Sequence, residues 1–279
     1  MMKNVRAVQL VVLLITVSVA VASCGVPQTP ESGQKPVGNT PTGPSGTIRG
    51  VVRLMGKAPA PATEPIKADQ AICGNSVTLP RITLGKDSGV KDSFVFLRGL
   101  PEYPNVPPVA PASILMDQKN CQYVPHAMTV PVGKELEITN SDTILHNVHG
   151  NVIGSDGLHT LFNIAQPIKG QRSKTPAFEN PGIIFLTCEA GHPWMNAYIF
   201  VAVNRFVDVT KEDGSFVIAN VPVGTHQIEM WHEGVTLKSN NKALQRYDYE
   251  DPYQTTKDVV VTANSETVVN FDLTLRPGK

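Results

Sequence analysis

The chain has no excess of either charge: 24 Lys and Arg side chains stand against 24 Asp and Glu. That balance excludes the basic bias of a nucleic-acid-binding protein. It also argues against strong steering of partners by net charge. Beyond the first 23 residues no stretch shows the pattern of a helix of ordinary length, so a helical bundle is excluded. Exposed runs of Met and His, the mark of a protein that hands ions on, are absent, and no convincing internal repeat is present. No proton-transfer pair is evident and no substrate pocket is implied, so the chain does not read as an enzyme. Cysteine is scarce, at four residues, and each one has to be accounted for. What is plentiful is Pro (23) and Gly (22), between short runs rich in Val and Ile. That composition fits β-sandwiches joined by turns, and 279 residues leave room for two of them.

Residues 1–23 are excluded from the fold. Lys3 and Arg6 form a positive start, Ala7 to Ala22 an apolar run, and Val21-Ala22-Ser23 leads into Cys24. This is the pattern of an export signal. The ending resembles a bacterial lipobox, which implies cleavage before Cys24 and a lipid on its sulfur. Gly25 after the cysteine, by the same resemblance, favours the outer membrane where the cell has one. The expectation is an exported protein held to a bacterial membrane by Cys24, periplasmic or at the cell surface. Residues 24–46 then read as a flexible linker, too polar and too rich in Gly and Pro to fold. With Cys24 lipidated, three cysteines remain in an oxidising compartment, so one pair and one odd thiol are expected. The pairing expected is Cys73 with Cys121, which leaves Cys188 free. A free exported thiol is an oxidation liability that metal ligation would remove.

The folded part starts near Gly46. In Gly46 to Met55, Ile48, Val52 and Leu54 share one strand face. Gly50 on that face marks a bulge or a close backbone approach. Ser93 to Leu97, Ser113 to Asp117, Val130 to Val132 and Leu136 to Ile138 read as further strands. Pro101 to Pro111 reads as a proline-rich connection, Asn140-Ser141-Asp142 as a turn, and 150–180 as largely loop. Asp213-Gly214 between Asp208-Val209-Thr210 and Ser215 to Ile218 reads as a hairpin.

Ile183 to Val203 organises the rest. It reads as strand, loop, strand, and its loop holds Cys188, His192 and Met195. A thiolate, an imidazole and a thioether so close together match the ligand set of a mononuclear copper electron-transfer site, which needs one more histidine. An earlier strand should supply it, and His146 in Leu145-His146-Asn147-Val148-His149 is the candidate. His146 and His149 are three apart and fall on opposite faces of an ideal strand, so one metal would not take both. Pro193 stiffens the loop. Trp194 is placed to shield the metal and Asn147 to bond across to the Cys188 loop, contacts of the kind that tune a metal site. His149 is either such an outer contact or exposed. His126 and Met128 read as structural, and His159 as exposed.

Tyr123 to Val203 resembles a cupredoxin, and among cupredoxins it is most similar to amicyanin. The matching pieces are Val130-Pro131-Val132-Gly133, Asn140-Ser141-Asp142, His146-Asn147-Val148-His149, and Cys188 with His192-Pro193-Trp194-Met195. The resemblance implies a Greek-key sandwich holding one copper ion, with His146 as the first ligand. Amicyanin has two residues between its cysteine and histidine, whereas this chain has three, Glu189-Ala190-Gly191, which leaves spectral type and potential open. Residues 204–279 resemble a carboxypeptidase regulatory-like domain, a small transthyretin-like sandwich, through Asp213-Gly214-Ser215-Phe216 and Asn220-Val221-Pro222-Val223-Gly224-Thr225. The Gly46 to Val52 run looks like the first strand of the same kind of domain.

The reading is therefore all-β. A cupredoxin-like sandwich spans 47–203, with its core at 112–203, and a transthyretin-like sandwich spans 204–279. Part of 47–111 is free to belong to either. Trp231 reads as a strand end docked on the copper sandwich, and the loop with Tyr247, Tyr249 and Tyr253 as solvated surface. His232 and Glu233 lack a third ligand at a familiar spacing. The function expected is single-electron transfer with a redox partner protein. The alternatives are a copper-carrying or storage lipoprotein, or a structural or adhesion module with a vestigial site.

Overall fold

The computed structural model describes residues 43–60, 62–79, 82–100 and 114–276. The export signal, Cys24, most of the linker and the proline-rich connection lie outside the described residues. Among those described, regular structure is almost entirely β. The helices are one turn each, at Gln70–Cys73 and Lys86–Ser88. None is long and apolar enough to cross a membrane.

Among the described residues, four sheets of four or five strands carry most of the chain, beside two two-stranded ones. A five-stranded sheet runs in the order Gly157–Gln166, His146–Gly154, Gly182–Thr187, Asn196–Ala202 and Ala127–Pro131. A four-stranded sheet runs Arg172–Lys174, Glu137–Asn140, Leu115–Lys119 and Gln122–Val124. Their inward residues, among them Met116, Val130, Leu136, Ile138, Val148, Leu186 and Ile199, share one core. Leu136 and Ile138 face inward because they are two apart in an extended strand. Pro131 is tolerated as the last residue of an edge strand, where a missing N–H breaks no ladder.

The loop expected over 150–180 is in part a long hairpin. His146–Gly154 pairs antiparallel with Gly157–Gln166, from Gly154 opposite Gly157 to His146 opposite Gln166. The second strand is the sheet's outer edge and is exposed along most of its length. It therefore lacks the alternation by which a half-buried strand is recognised. Gly150 permits the one inward ring: a Cβ there would lie 2.4 Å from Phe162.

The other two four-stranded sheets draw on both ends of the chain. Ser45–Met55 pairs antiparallel with Ser215–Pro222, and parallel with Glu266–Val268 and Phe271–Thr274. Phe94–Arg98 lies between Val207–Val209 and Gly224–His232, and Tyr253–Val261 completes that sheet. So the strands at 45–55 and 94–98 bond to partners beyond Val203, and the sheets that carry the ligand loop interrupt this second pair. Residues 62–79 go the other way: Ile66, Cys73 and Val77 pack into the first core. Gly50 marks a close approach, since a Cβ would fall 1.7 Å from the Val269 carbonyl oxygen. The register shift in that strand comes earlier, between Gly46 and Ile48.

The hairpin expected at Asp213-Gly214 is not a hairpin. Val207–Val209 and Ser215–Pro222 belong to different sheets, and the turn carries the chain from one to the other. Gly214 has φ 75° and is packed against the first strand, 2.4 Å from its Val52 carbonyl oxygen by the position of an added Cβ. An Asp-Gly pair suits a left-handed turn whether or not the flanking strands pair.

An aromatic cluster joins the two halves. Phe94 and Trp231 from one side pack with Ala127, Phe185 and Tyr198 from the other. The Trp231 ring lies 5.1 Å from Tyr198 and 5.6 Å from Phe94. The strand end at Trp231 thus docks on the ligand-bearing sheet.

Candidate metal centre

Two strands and one loop build the site. His146 opens its strand in the middle of the five-stranded sheet, and Cys188 follows the neighbouring strand Gly182–Thr187. The chain then turns tightly: the Met195 N–H donates to the His192 carbonyl, and the Cys188 N–H donates to the Met195 carbonyl. Gly191, at φ 88°, supplies the left-handed residue in that turn. Cys188, His192 and Met195 are thereby gathered by local geometry, and all are fully buried, as is His146.

Cys188 Sγ lies 3.9 Å from His146 Nδ1 and 3.6 Å from His192 Nδ1, and the two Nδ1 atoms are 3.2 Å apart. A point equidistant from the three lies about 2 Å from each, close to the length of a metal–imidazole or metal–thiolate bond. The opposite ring nitrogens face carboxylates: His146 Nε2 is 2.9 Å from Asp142 Oδ2, and His192 Nε2 is 2.9 Å from Asp69 Oδ2. A carboxylate only accepts, so each Nε2 carries the proton and each Nδ1 presents a lone pair. Two imidazole lone pairs and a sulfur therefore converge on one dry spot. The buried Cys188 thiol can donate to one of these lone pairs, and a metal ion that displaced its proton would meet all three donors, so the residues fit a bound metal ion. Cys121, Asp142 and His146 also lie close together. Cys121 is bonded to Cys73, however, so it has no thiolate to offer.

The surroundings prepare the donors. Burial pushes the Cys188 thiol up, and the N–H groups of Asn147 and Ala190 pull it back. Burial, reinforced by His146, holds the His192 imidazole below its usual range against the pull of Asp69. It is thus neutral and ready for a metal. Burial raises the Asp142 carboxyl, but the Cys121 N–H, His146 and the Asn120 N–H outweigh it and hold it below its usual range.

Asn147 ties the two ligand segments together. Its N–H reaches Cys188 Sγ at 3.5 Å, and its side-chain oxygen accepts the Glu189 N–H. Trp194 packs edge-on to His192, with ring centroids 5.3 Å apart, and donates to the Cys121 carbonyl at 3.1 Å. His149 points away from the cluster and is held by Glu189 at 2.6 Å and Thr160 at 2.8 Å. His126 is bonded to Asn196 and Glu233, Met128 is buried in the core, and His159 is an exposed partner of Asp156.

Three contributors are not apparent from local sequence. Asp69 reaches His192 across 123 residues. Asp142 looks like a turn residue, and its bond to His146 appears only when the turn is folded. The hairpin of Leu237–Asn241 and Arg246–Tyr249 clamps the ligand loop, with Gln245 Oε1 accepting from Gly191 and Tyr247 donating its N–H to Pro193. Tyr247 is 4% exposed, which corrects the reading of its loop as solvated surface.

The metal-free protein should be acid-sensitive. Burial lowers the pKa of His192 and of His232 in the folded state. The unfolded chain then takes up protons, from about pH 6.5 downward, that the folded chain refuses. Stability is full above that pH and falls below it, by at most about 1.4 kcal/mol per pH unit for each group. Urea midpoints at pH 8, 6.5 and 5 measure this, and a midpoint unchanged from 8 to 5 would contradict it.

No family model and no curated protein matches the chain. Among solved structures, a copper-containing nitrite reductase of Thermus scotoductus SA-01 is 23% identical over 34% of this chain and 23% of its own, with TM-score 0.28. The chain thus spans under a quarter of that protein. A purple cupredoxin of Nitrosopumilus maritimus is 30% identical over 29% of this chain and 81% of its own, with TM-score 0.25. A reduced mutant of amicyanin is 25% identical over 39% of this chain and 98% of its own, with TM-score 0.28. By its own sheets and side chains, the protein has a mostly antiparallel β architecture consistent with a cupredoxin-like sandwich, and carries a His146, Cys188 and His192 cluster spaced for one metal ion.

Proposed function

We propose that the protein is a cupredoxin-like electron carrier in which His146, Cys188, His192 and Met195 would hold one copper ion. One observation carries the reading. Both Nε2 atoms are engaged by carboxylates, so two Nδ1 lone pairs and the Cys188 sulfur converge on one point, where a metal ion would take the place of the thiol proton. Copper bound there supplies a one-electron couple, and thiolate with two imidazoles and a weak thioether suits that metal among the first-row ions. The protein's part is to hold the donors still and dry. Asp142 and Asp69 fix the ring orientations, Asn147 holds the sulfur, and Trp194 covers the His192 face. The burial of every donor favours retention over delivery, which sets a copper-carrying role second.

The remaining sheets are assigned, on the sequence resemblance, to a carboxypeptidase regulatory-like domain. The signal-like pattern at 1–23 and the lipobox-like ending at Cys24 support an exported protein on a lipid anchor, which the intact mass of membrane-extracted protein would check. A redox partner protein is inferred from the carrier role.

The test is spectroscopic. Copper(II) added to the purified full-length chain should give an intense thiolate-to-copper charge-transfer band that Cys188→Ser lacks. A wild-type protein that shows no band and retains no copper would sink the proposal.

A further inference from the structure

Between the two pairs of sheets, apart from the ligand cluster, lies a cleft of about 540 Å³. Ile82, Tyr123, Val124 and Pro125 give it an apolar wall, and Asp92 and His232 face it as acceptors. Two other polar lining residues are occupied. His126 bonds Glu233 and the Asn196 carbonyl, and Asn196 Nδ2 donates to the second Glu233 oxygen. Asp92 has no hydrogen-bond partner for its carboxylate among the described residues. His232 donates its Nδ1–H to the Glu233 carbonyl at 2.8 Å, which leaves Nε2 as a lone pair on a ring only 2% exposed. An acceptor that lines a cleft without a protein donor is open to a donor carried by a ligand. Two acceptors opposite an apolar wall suit a flat apolar body that bears hydroxyl donors.

The apolar wall also leads to the metal centre. The Tyr123 hydroxyl donates to the Asn147 carbonyl at 2.5 Å, and the Asn147 N–H reaches Cys188 Sγ at 3.5 Å. Asn147 directly follows His146. A molecule in the cleft is therefore one side chain away from the backbone that links two ligands.

We propose that this cleft binds a small hydroxy-aromatic reductant of the hydroquinone class, its hydroxyls donating to Asp92 and His232, and that its electron enters the metal centre by way of Tyr123. The electron half rests on the copper reading above. In each event one O–H bond of the reductant breaks and its proton passes to the Asp92 carboxylate. With copper(II) bound, the electron would take it to copper(I), and a neutral aryloxyl radical would leave. Burial raises the Asp92 carboxyl above its usual range, although His126 and Lys91 oppose it, and a more basic carboxylate suits that proton.

Hydroquinone titrated into the full-length metal-free protein should bind saturably at one site by calorimetry. Asp92→Asn and His232→Gln should each weaken binding about tenfold or more. Asn tolerates the left-handed backbone of Asp92, at φ 63°, so that variant should fold. In the copper-loaded protein, bleaching of the charge-transfer band should saturate at the same hydroquinone concentration. At saturation, Tyr123→Phe should slow the bleaching and leave binding unchanged. Binding that does not saturate, or that both cleft variants leave intact, overturns the proposal even when the copper band forms. Absence of the band in the wild-type protein overturns the copper reading and the electron route with it, whatever hydroquinone binding shows.

Discussion

Asp142→Ala is expected to lower copper affinity about 10–100-fold and to lower the stability of the metal-free protein by on the order of 3 kcal/mol. Asp142 is 7% exposed, and both its oxygens are engaged. Oδ2 faces His146 Nε2 and the Cys121 N–H, each at 2.9 Å, and Oδ1 accepts the Asn120 N–H at 2.9 Å. Asn120 and Cys121 are both left-handed, at φ 53° and 56°, so a short strained turn is held by this one carboxylate. Truncation frees the His146 ring and strands the buried Cys121 N–H. Asp142→Asn separates the two effects, because an amide oxygen can still accept from the turn but offers no negative charge to the imidazole. Chelator competition reads the affinity, and urea titration of metal-free protein reads the stability. An alanine variant that binds copper within twofold of wild type would show that His146 needs no such orienting contact.

Trp231→Ala should cost about 3–5 kcal/mol and should uncouple the two halves of the protein. Trp231 is 2% exposed, stands opposite Phe94 in its own sheet, and packs against Tyr198 of the ligand-bearing sheet. Its removal leaves a cavity where Phe185 and Tyr198 now find a partner from the other half. Each half has its own core, so loss of the joint should turn one cooperative unfolding transition into two. Calorimetry with and without copper distinguishes them, since copper should raise only the transition of the ligand-bearing sheets. A single unshifted transition in the variant would mean that the cluster is contact without coupling.

Candidate ligands were legible because the chain writes a cysteine, a histidine and a methionine within eight residues. A loop that short brings Cys188, His192 and Met195 together by local geometry alone. His146 was legible as a histidine on a strand, and strand parity sets it apart from His149. The outer hairpin was hidden because an exposed edge strand carries little hydrophobic alternation. The turn at Asp213-Gly214 misled because left-handed turn chemistry is the same within a hairpin and between sheets.

By itself the sequence determined the all-β class and pointed to Cys188, His192 and His146 as candidate donors, which depend on residue type and on spacing of a few residues. Only the tertiary structure decided what surrounds the donors. It brought Asp69 to His192, Asp142 to His146 and Tyr247 to the ligand loop, and it paired the strands at 45–55 and 94–98 with partners beyond Val203. These contacts join segments far apart in the chain or depend on how a turn folds, and the pattern around each residue carries no mark of its distant partner. Whether a carboxylate caps a solvated turn or orients a buried imidazole is settled by where the chain passes after it has folded.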